Sequence, residues 1–360
     1  MRILRTLLLC TLISCCGLPA STPAASGHDY LFYEGRTYGS ESLIHPLRMI
    51  LHGGYGILQL DNQDASPWDI DYENGVEVVG RSLFDPFGAI QEHGYWEFVK
   101  RELLPVSIDN DGGQYWPNYM NHLIGGGMSY RMMVDWFHYY GYQHPKLWSG
   151  GTVLAYHLLN EIVEARDVDH WSADPVADMW IFNPAGILLF SHDGVAGFFA
   201  HRLHMQDWSF QISYDAGQER WVNNGQNFSM KLDLPWSDTW RLFYHFGTHA
   251  ELGVSYRLPN GDELSVGAGL VAKNLIPSDG NFRTVDLART AGIWWDRDGS
   301  LLASLDWAND KAYRLRTNVY PGVVGIGDVR PGLFGILHRD GDVTLGFTFR
   351  WMPVGLGGRR

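Results

Sequence analysis

The sequence ELGVSYRLPNGDELSVGAGL, residues 251–270, contains two runs in which apolar residues alternate with polar or small ones. Such alternation predicts strands with one apolar face, because successive side chains of a strand point to opposite faces. Pro259-Asn260-Gly261-Asp262 lies between the runs and is typical of a hairpin turn. The stretch therefore predicts two antiparallel strands. Their apolar positions are Leu252, Val254, Tyr256 and Leu258, then Leu264, Val266, Ala268 and Leu270.

The same alternation recurs through the C-terminal part of the chain, for example in residues 240–246, 301–307 and 343–351. We predict about eight to ten strands between Trp208 and Met352, arranged as an antiparallel β-barrel or barrel-like sheet, since closure removes exposed edges. Residues 352–360 are predicted to follow the last strand. Apolar side chains face outward in an outer-membrane barrel and inward in a soluble barrel or sandwich, and alternation alone does not distinguish them.

Residues 27–205 show apolar residues at helical spacing, which predicts an α-helical unit before the strand-rich residues 206–360. The predicted fold class is therefore α+β. None of the predicted helices contains 18 apolar residues free of charges, so we expect buried or membrane-surface helices rather than spans. The predicted helices cover 42–51, 87–104, 117–140, 146–165 and 175–203, the last broken at Asn183-Pro184 and at His192-Asp193-Gly194.

Residues 1–26 have the organisation of a secretory signal followed by a linker. Arg2 and Arg5 precede the apolar run 7–13, and small residues and prolines come next. The run is too short to cross a bilayer, which needs about 20 residues. We therefore predict export to the cell envelope, either to the periplasm or to the outer membrane.

Leu12-Ile13-Ser14-Cys15 also fits a lipobox, in which Cys15 is the site of lipid attachment. The alternative is ordinary cleavage near Ala24 or Ala25, which would discard Cys15. The lipoprotein hypothesis is favoured, and lipid chains would then anchor the protein to the membrane.

Composition excludes several classes of function. The three cysteines, Cys10, Cys15 and Cys16, all lie in the signal segment, so the rest of the chain has no disulfide framework, thiolate metal site or thiol nucleophile. The net charge of −13 and the absence of a Lys/Arg block argue against a nucleic-acid partner. The 14% aromatic content and 42 glycines favour a β-rich or membrane-interface protein, with membrane lipid as the expected partner. No motif identifies a cofactor.

Three polar residues on successive predicted helices, His122, Glu161 and Asp178, could converge. Such a group could act as a general acid/base centre or form a metal site with one His and two carboxylates. The alternative that we favour is a buried hydrogen-bond network that fixes helix register, with no metal assigned. The catalytic hypothesis names His122, Glu161 and Asp178, and the surrounding polar network would comprise Asn118, Asn121, His157, Asp174 and Asn183.

The order of polar and glycine residues between Trp116 and Leu189 resembles domain-of-unknown-function family 3943, whose members are bacterial envelope proteins loosely similar to the YfiM lipoproteins and VanZ-like proteins. The resemblance covers about a fifth of the chain and implies an envelope location and a compact helical unit, but no reaction. Leu123 stands where the family often has Pro, and Asp174 could take the place of Asp178. The matching positions are Trp116, Asn118, His122, Tyr130, Glu161, Ser172, Asp178, Pro184 and Gly186.

Together these patterns predict a cell-envelope protein with a structural or lipid-interacting role at the outer membrane. The rival hypothesis is an envelope hydrolase or transferase that acts on a lipid or cell-wall component through His122, Glu161 and Asp178. Protein partners are not indicated by any pattern.

The lipobox hypothesis predicts that the wild-type protein incorporates radiolabelled palmitate and that Cys15→Ala abolishes the label. Loss of the label together with release from the membrane fraction would establish the tether. Unchanged membrane extraction without any label would contradict the lipid anchor and leave the strand-rich part as the means of attachment.

Overall fold

The computed structural model describes residues 28–105, 115–168, 172–277, 283–325 and 327–360. The fold is α+β, as predicted: the helices end at His201 and the first strand begins at Gln206. Cys15 and the rest of the predicted signal segment lie outside the described residues.

The helical part consists of α-helices and of π-helical segments, some of which continue directly into an α-helix. Within the described ranges, no helix combines the length and the hydropathy needed to cross a bilayer. The α-helices are α1 (Pro46–Gly54), α2 (Tyr72–Phe84), α3 (Pro86–His93), α4 (Tyr95–Glu97), α5 (Gly126–Tyr139), α6 (Pro145–Glu164), α7 (Asp174–Ala177), α8 (Asn183–Phe190) and α9 (Asp193–His201). The π segments are π1 (Phe98–Leu103), π2 (Tyr115–Gly125) and π3 (Asp178–Phe182), and short 3-10 turns cover Ser40–Leu43, Gly56–Gln59 and Ala165–Asp167.

Two helix predictions need correction. The helix expected over 87–104 is interrupted at Gly94, whose φ of 97° lies in a region that glycine adopts readily. The break expected at Pro184 does not occur, since Pro184 is the second residue of α8, which continues directly from π3. Helix α2 was not predicted, although Asp71 caps it by accepting a hydrogen bond from the Asn74 N–H at 3.0 Å.

The strands form one 13-stranded mixed sheet that is not closed, so the predicted barrel is not confirmed. All neighbouring pairs are antiparallel except β13 and β2. The order is β1-β4-β5-β6-β7-β8-β9-β10-β11-β12-β13-β2-β3. The strands are β1 (Gln206–Asp207), β2 (Ser213–Asp215), β3 (Arg220–Val222), β4 (Asn227–Leu234), β5 (Ser237–Gly247), β6 (His249–Arg257), β7 (Glu263–Pro277), β8 (Arg283–Arg297), β9 (Ser300–Ala308), β10 (Tyr313–Val319), β11 (Gly332–His338), β12 (Val343–Thr348) and β13 (Gly355–Arg359).

The strand count exceeds the predicted eight to ten because several short strands carry no readable alternation. The prediction that residues 352–360 follow the last strand is wrong, since Gly355–Arg359 pairs with β12 on one side and with β2 on the other. Its sequence, GLGGR, is too short and too rich in glycine for period-two analysis.

The two faces of the sheet differ in a way that is unusual for a protein in water. One face carries an in-register row of exposed apolar side chains across β4 to β9. The opposite face is covered and largely polar: Ser255, Ser265 and Asn318 are almost fully buried, and Ser265 donates a hydrogen bond to Ser255 at 2.9 Å. The exposed row consists of Leu232, Leu242, Val254, Val266, Ile293 and Leu305, each between 36% and 49% exposed.

The helical part packs against the sheet and shares a core with it. Phe228 and Phe246 belong to the same apolar cluster as residues of α5 and α8. From α1, Arg48 donates a hydrogen bond to the Thr348 hydroxyl at 2.9 Å, and His52 donates one to the Phe210 carbonyl at 2.8 Å. The boundary between 27–205 and 206–360 thus separates helices from strands without separating two cores.

The buried His52 gives a testable pH dependence. Burial, aided by the charge of Arg48, lowers the pKa of His52 to about 3, well below its usual 6.5. Its stabilising contribution is therefore present above pH 6.5 and is lost as the pH falls towards 3, because only the unfolded chain then takes up the proton. Lowering the pH from 7 to 4 should therefore reduce the free energy of unfolding by about 3 kcal/mol through His52 alone.

We expect His52→Gln to reduce that acid-induced loss, since glutamine can still donate to the Phe210 carbonyl but does not titrate. The measurement is urea unfolding of both proteins at pH 7 and pH 4. An equal loss of stability in the two proteins would contradict the assignment.

Candidate functional site

The predicted site is built where three helical segments approach closely. His122 lies on π2, Glu161 on α6 and Asp178 at the start of π3. Gly186 of α8 permits the contact, because a Cβ there would lie 2.6 Å from the Leu123 carbonyl oxygen and 3.1 Å from that of His122. The glycine run that begins at Gly125 therefore serves close backbone packing, which explains its presence despite the cost of glycine in a helix.

The structure brings the three predicted residues together. His122, Glu161 and Asp178 each offer a ligand atom within 4.8 Å of those of the other two. One of these contacts joins His122 Nε2 to Asp178 Oδ2 at 3.2 Å. All three residues are buried, with exposed fractions of 8%, 2% and 2%. The sequence analysis named these three residues as a group that could converge, and the structure places them together.

Asn183 fixes the orientation of the His122 ring. Its Oδ1 lies 3.0 Å from His122 Nδ1, while its amide nitrogen faces the Met179 sulfur at 3.5 Å. In this arrangement Nδ1–H donates to Asn183, so neutral His122 presents the lone pair of Nε2 to the Asp178 carboxyl. The His157 ring stacks on His122 with its centroid 4.7 Å away.

Burial shifts the pKa of every group in the cluster towards its neutral form. Loss of solvent lowers the pKa of His122 to about 4, although the Asn183 hydrogen bond opposes this. The pKa of His157 is also lowered, first by burial and then by His122. Burial, followed by the charge of Asp174, raises the pKa of both Glu161 and Asp178 well above the usual range. A charged carboxylate therefore needs a compensating cation at this position.

The rest of the predicted polar network is only partly connected to these three residues. Asn118 is fully buried, but its amide donates to the Glu102 carbonyl oxygen at 3.0 Å rather than to the cluster. Asn121 and Asp174 are half-buried. Glu102, which is only 2% exposed, was missed because its contact with Asn118 joins two helices across 16 residues and leaves no spacing pattern.

The three cluster residues are buried, and the cavity that the described residues line nearby does not reach them. A cavity between α1 and the first strands is lined by His45, Arg48 and Asp207, among others, and none of the three cluster residues lines it. An enzyme acting on a lipid or a cell-wall component needs its acid/base group in contact with substrate. The hydrolase or transferase hypothesis therefore stays a prediction, supported by the convergence of the residues but not by their burial.

The close approach of the π2 backbone to Gly186 predicts that a larger residue at this position destabilises the protein. Gly186→Ala should lower the free energy of unfolding by about 1–3 kcal/mol, because the new methyl group meets backbone atoms that cannot move aside easily. Gly151→Ala on α6 is the matched control, since a Cβ there has no neighbour within 4 Å. That control should be neutral or stabilising by up to about 1 kcal/mol. Equal urea unfolding midpoints for the two variants would contradict the packing argument.

Comparison with known proteins adds no relative: no family model, no curated protein and no solved structure matches the chain. The resemblance to domain-of-unknown-function family 3943 therefore stays a prediction, and the function must be argued from the geometry of the chain itself.

Proposed function

We propose that this is a cell-envelope protein of the outer membrane whose sheet contacts lipid hydrocarbon through its exposed apolar face. The observation that carries the proposal is the in-register row from Leu232 to Leu305, which continues across six neighbouring strands. Contiguous apolar surface on this scale is unfavourable in water, at about 25 cal/mol per Å², and marks a surface that something covers.

The polar, buried face of the sheet supports the proposal that lipid covers the exposed apolar face. Ser255, Ser265 and Ser304 lie there in register and are nearly inaccessible, whereas their apolar neighbours along each strand are exposed. A sheet in water normally buries its apolar face and exposes its polar one. The reverse arrangement is typical of strands whose outer surface lies in hydrocarbon.

Aromatic side chains near one end of the sheet fit the same role. Trp236 lies in the β4–β5 turn and is 79% exposed, and Trp351 just after β12 is 61% exposed. Trp240 packs against Tyr256 with ring centroids 4.9 Å apart. Tryptophan and tyrosine concentrate at the boundary between lipid and water, so we assign this end of the sheet to a membrane interface.

A chain segment that contacts both β4 and β13, near opposite edges of the sheet, favours a barrel-like shape for the proposed membrane domain. Residues 206–215 form one chain segment that contacts both ends. The Trp208 N–H donates to the carbonyl of Asn227, the first residue of β4, at 2.9 Å, and the Gly355 N–H of β13 donates to the Ile212 carbonyl at 2.9 Å. A segment that joins β4 to β13 leaves less unpaired edge, as a membrane domain requires.

The lipid-facing role predicts a difference between two identical substitutions. Val266→Lys on β7 should lower the unfolding free energy in lipid vesicles by about 2–4 kcal/mol, because it places an ammonium group in hydrocarbon. Val76→Lys on α2 is the matched control, since Val76 is 54% exposed and Val266 42% exposed. The control should change stability by no more than about 0.5 kcal/mol.

The measurement is urea unfolding of vesicle-reconstituted protein, combined with sedimentation of the same variants without detergent. Equal stability of the two variants and a soluble wild-type protein would contradict the proposal. A detergent-free dimer that Val266→Lys dissociates would also overturn it, because a second copy of the chain would then cover the face.

A further inference from the structure

The two buried carboxyl groups of the His122 cluster, Glu161 and Asp178, have no Lys or Arg partner among the described residues. Among the described residues, the ion pairs of Glu161 and Asp178 include no Lys or Arg, and His122 is the only basic side chain within 4 Å of Asp178. Arg131, by contrast, pairs with Asp135 and Asp193. Buried carboxylates are normally paired with a cation or coordinate a metal.

A buried carboxyl oxygen of the cluster that lacks a hydrogen-bond partner also indicates that a cation is missing. Asp178 is 2% exposed, and its Oδ1 has no hydrogen-bond partner among the described residues. Its Oδ2 faces His122 Nε2, the nitrogen that carries a lone pair when Nδ1–H donates to Asn183. Two lone-pair atoms facing each other at 3.2 Å need a proton or a metal ion between them.

We propose that His122, Glu161 and Asp178 bind one divalent transition-metal ion of the zinc class, which joins π2, α6 and π3. A tetrahedral zinc ion with bonds of about 2.0–2.2 Å places its ligand atoms about 3.4 Å apart. The His122–Asp178 pair, at 3.2 Å, is close to this spacing, and the overall limit of 4.8 Å leaves Glu161 at most about 1.4 Å to close by rotation of its side chain.

The surroundings of the histidine suit this role. A metal-bound His usually donates its second ring nitrogen to a fixed acceptor, which sets its tautomer and orientation, and Asn183 provides that acceptor. The donor set of one imidazole and two carboxylates, without thiolate, suits zinc and manganese better than copper(I). Three protein ligands leave the fourth tetrahedral position for a water molecule, and the buried ion would neutralise the carboxylates and hold the three helical segments together.

The test compares two identical substitutions at equally buried positions. Glu161 and Glu102 are both 2% exposed, but only Glu161 offers an atom to the cluster. Full-length wild-type, Glu161→Gln, Asp178→Asn and Glu102→Gln proteins are equilibrated with ZnCl₂ or MnCl₂, dialysed, and analysed for bound metal and for affinity. We expect one equivalent in the wild type, a loss of about 100-fold or more in Glu161→Gln and Asp178→Asn, and a change of at most about threefold in Glu102→Gln.

Folded wild-type protein that retains neither metal would overturn the proposal. So would equal losses in Glu161→Gln and Glu102→Gln, which would show a general effect of buried charge. Cobalt substitution of the wild type is independent of whether the variants fold: an intense visible band indicates a tetrahedral site, whereas the weak spectrum of hydrated Co²⁺ would contradict one. Metal binding does not depend on membrane insertion, so its failure would leave the lipid-facing proposal standing.

Discussion

The ion pairs of Lys231 hold the covered face of the sheet together. Its ammonium group lies 2.9 Å from Glu263 on β7 and 2.5 Å from Asp296 on β8, and all three side chains are less than 10% exposed. Removing one partner from such a buried group typically costs about 3–5 kcal/mol. Because a shift of one residue would turn every side chain of a strand to the other face, these pairs tie the register of β4, β7 and β8 together.

The helical part differs from the sheet in how its buried carboxyl groups are compensated. In the sheet, Lys231 balances two carboxylates, whereas in the helical part Glu102, Glu161 and Asp178 are buried without a Lys or Arg in an ion pair with any of them among the residues described. Burial alone would favour their protonated forms. A cation bound by His122, Glu161 and Asp178 would compensate the two carboxylates of that cluster without a basic side chain, and the missing positive charge thus adds to the residue types that the sequence had already indicated.

A structural feature could be predicted from the sequence where the residues that determine it lie close together along the chain. Alternation within residues 251–270 predicted two strands and their faces, because the two-residue period needs only neighbouring positions. The order of polar residues also indicated that His122 would meet Asp178. The π-helical form of π2 and the contact of Glu102 with Asn118 could not be predicted, because both depend on packing between distant segments.

The position of the helical part also determines how much of the apolar face of the sheet is exposed. Phe228 and Phe246 lie on the same face as Leu232 and Leu242, yet they are buried, because π2 covers them with Gly125 and Trp116. Where the helices end, the apolar row becomes exposed. The sheet therefore has one continuous apolar face, covered by protein at one corner and open beyond it. A lipid bilayer covering the open part would place π2, and with it His122, beside the membrane surface.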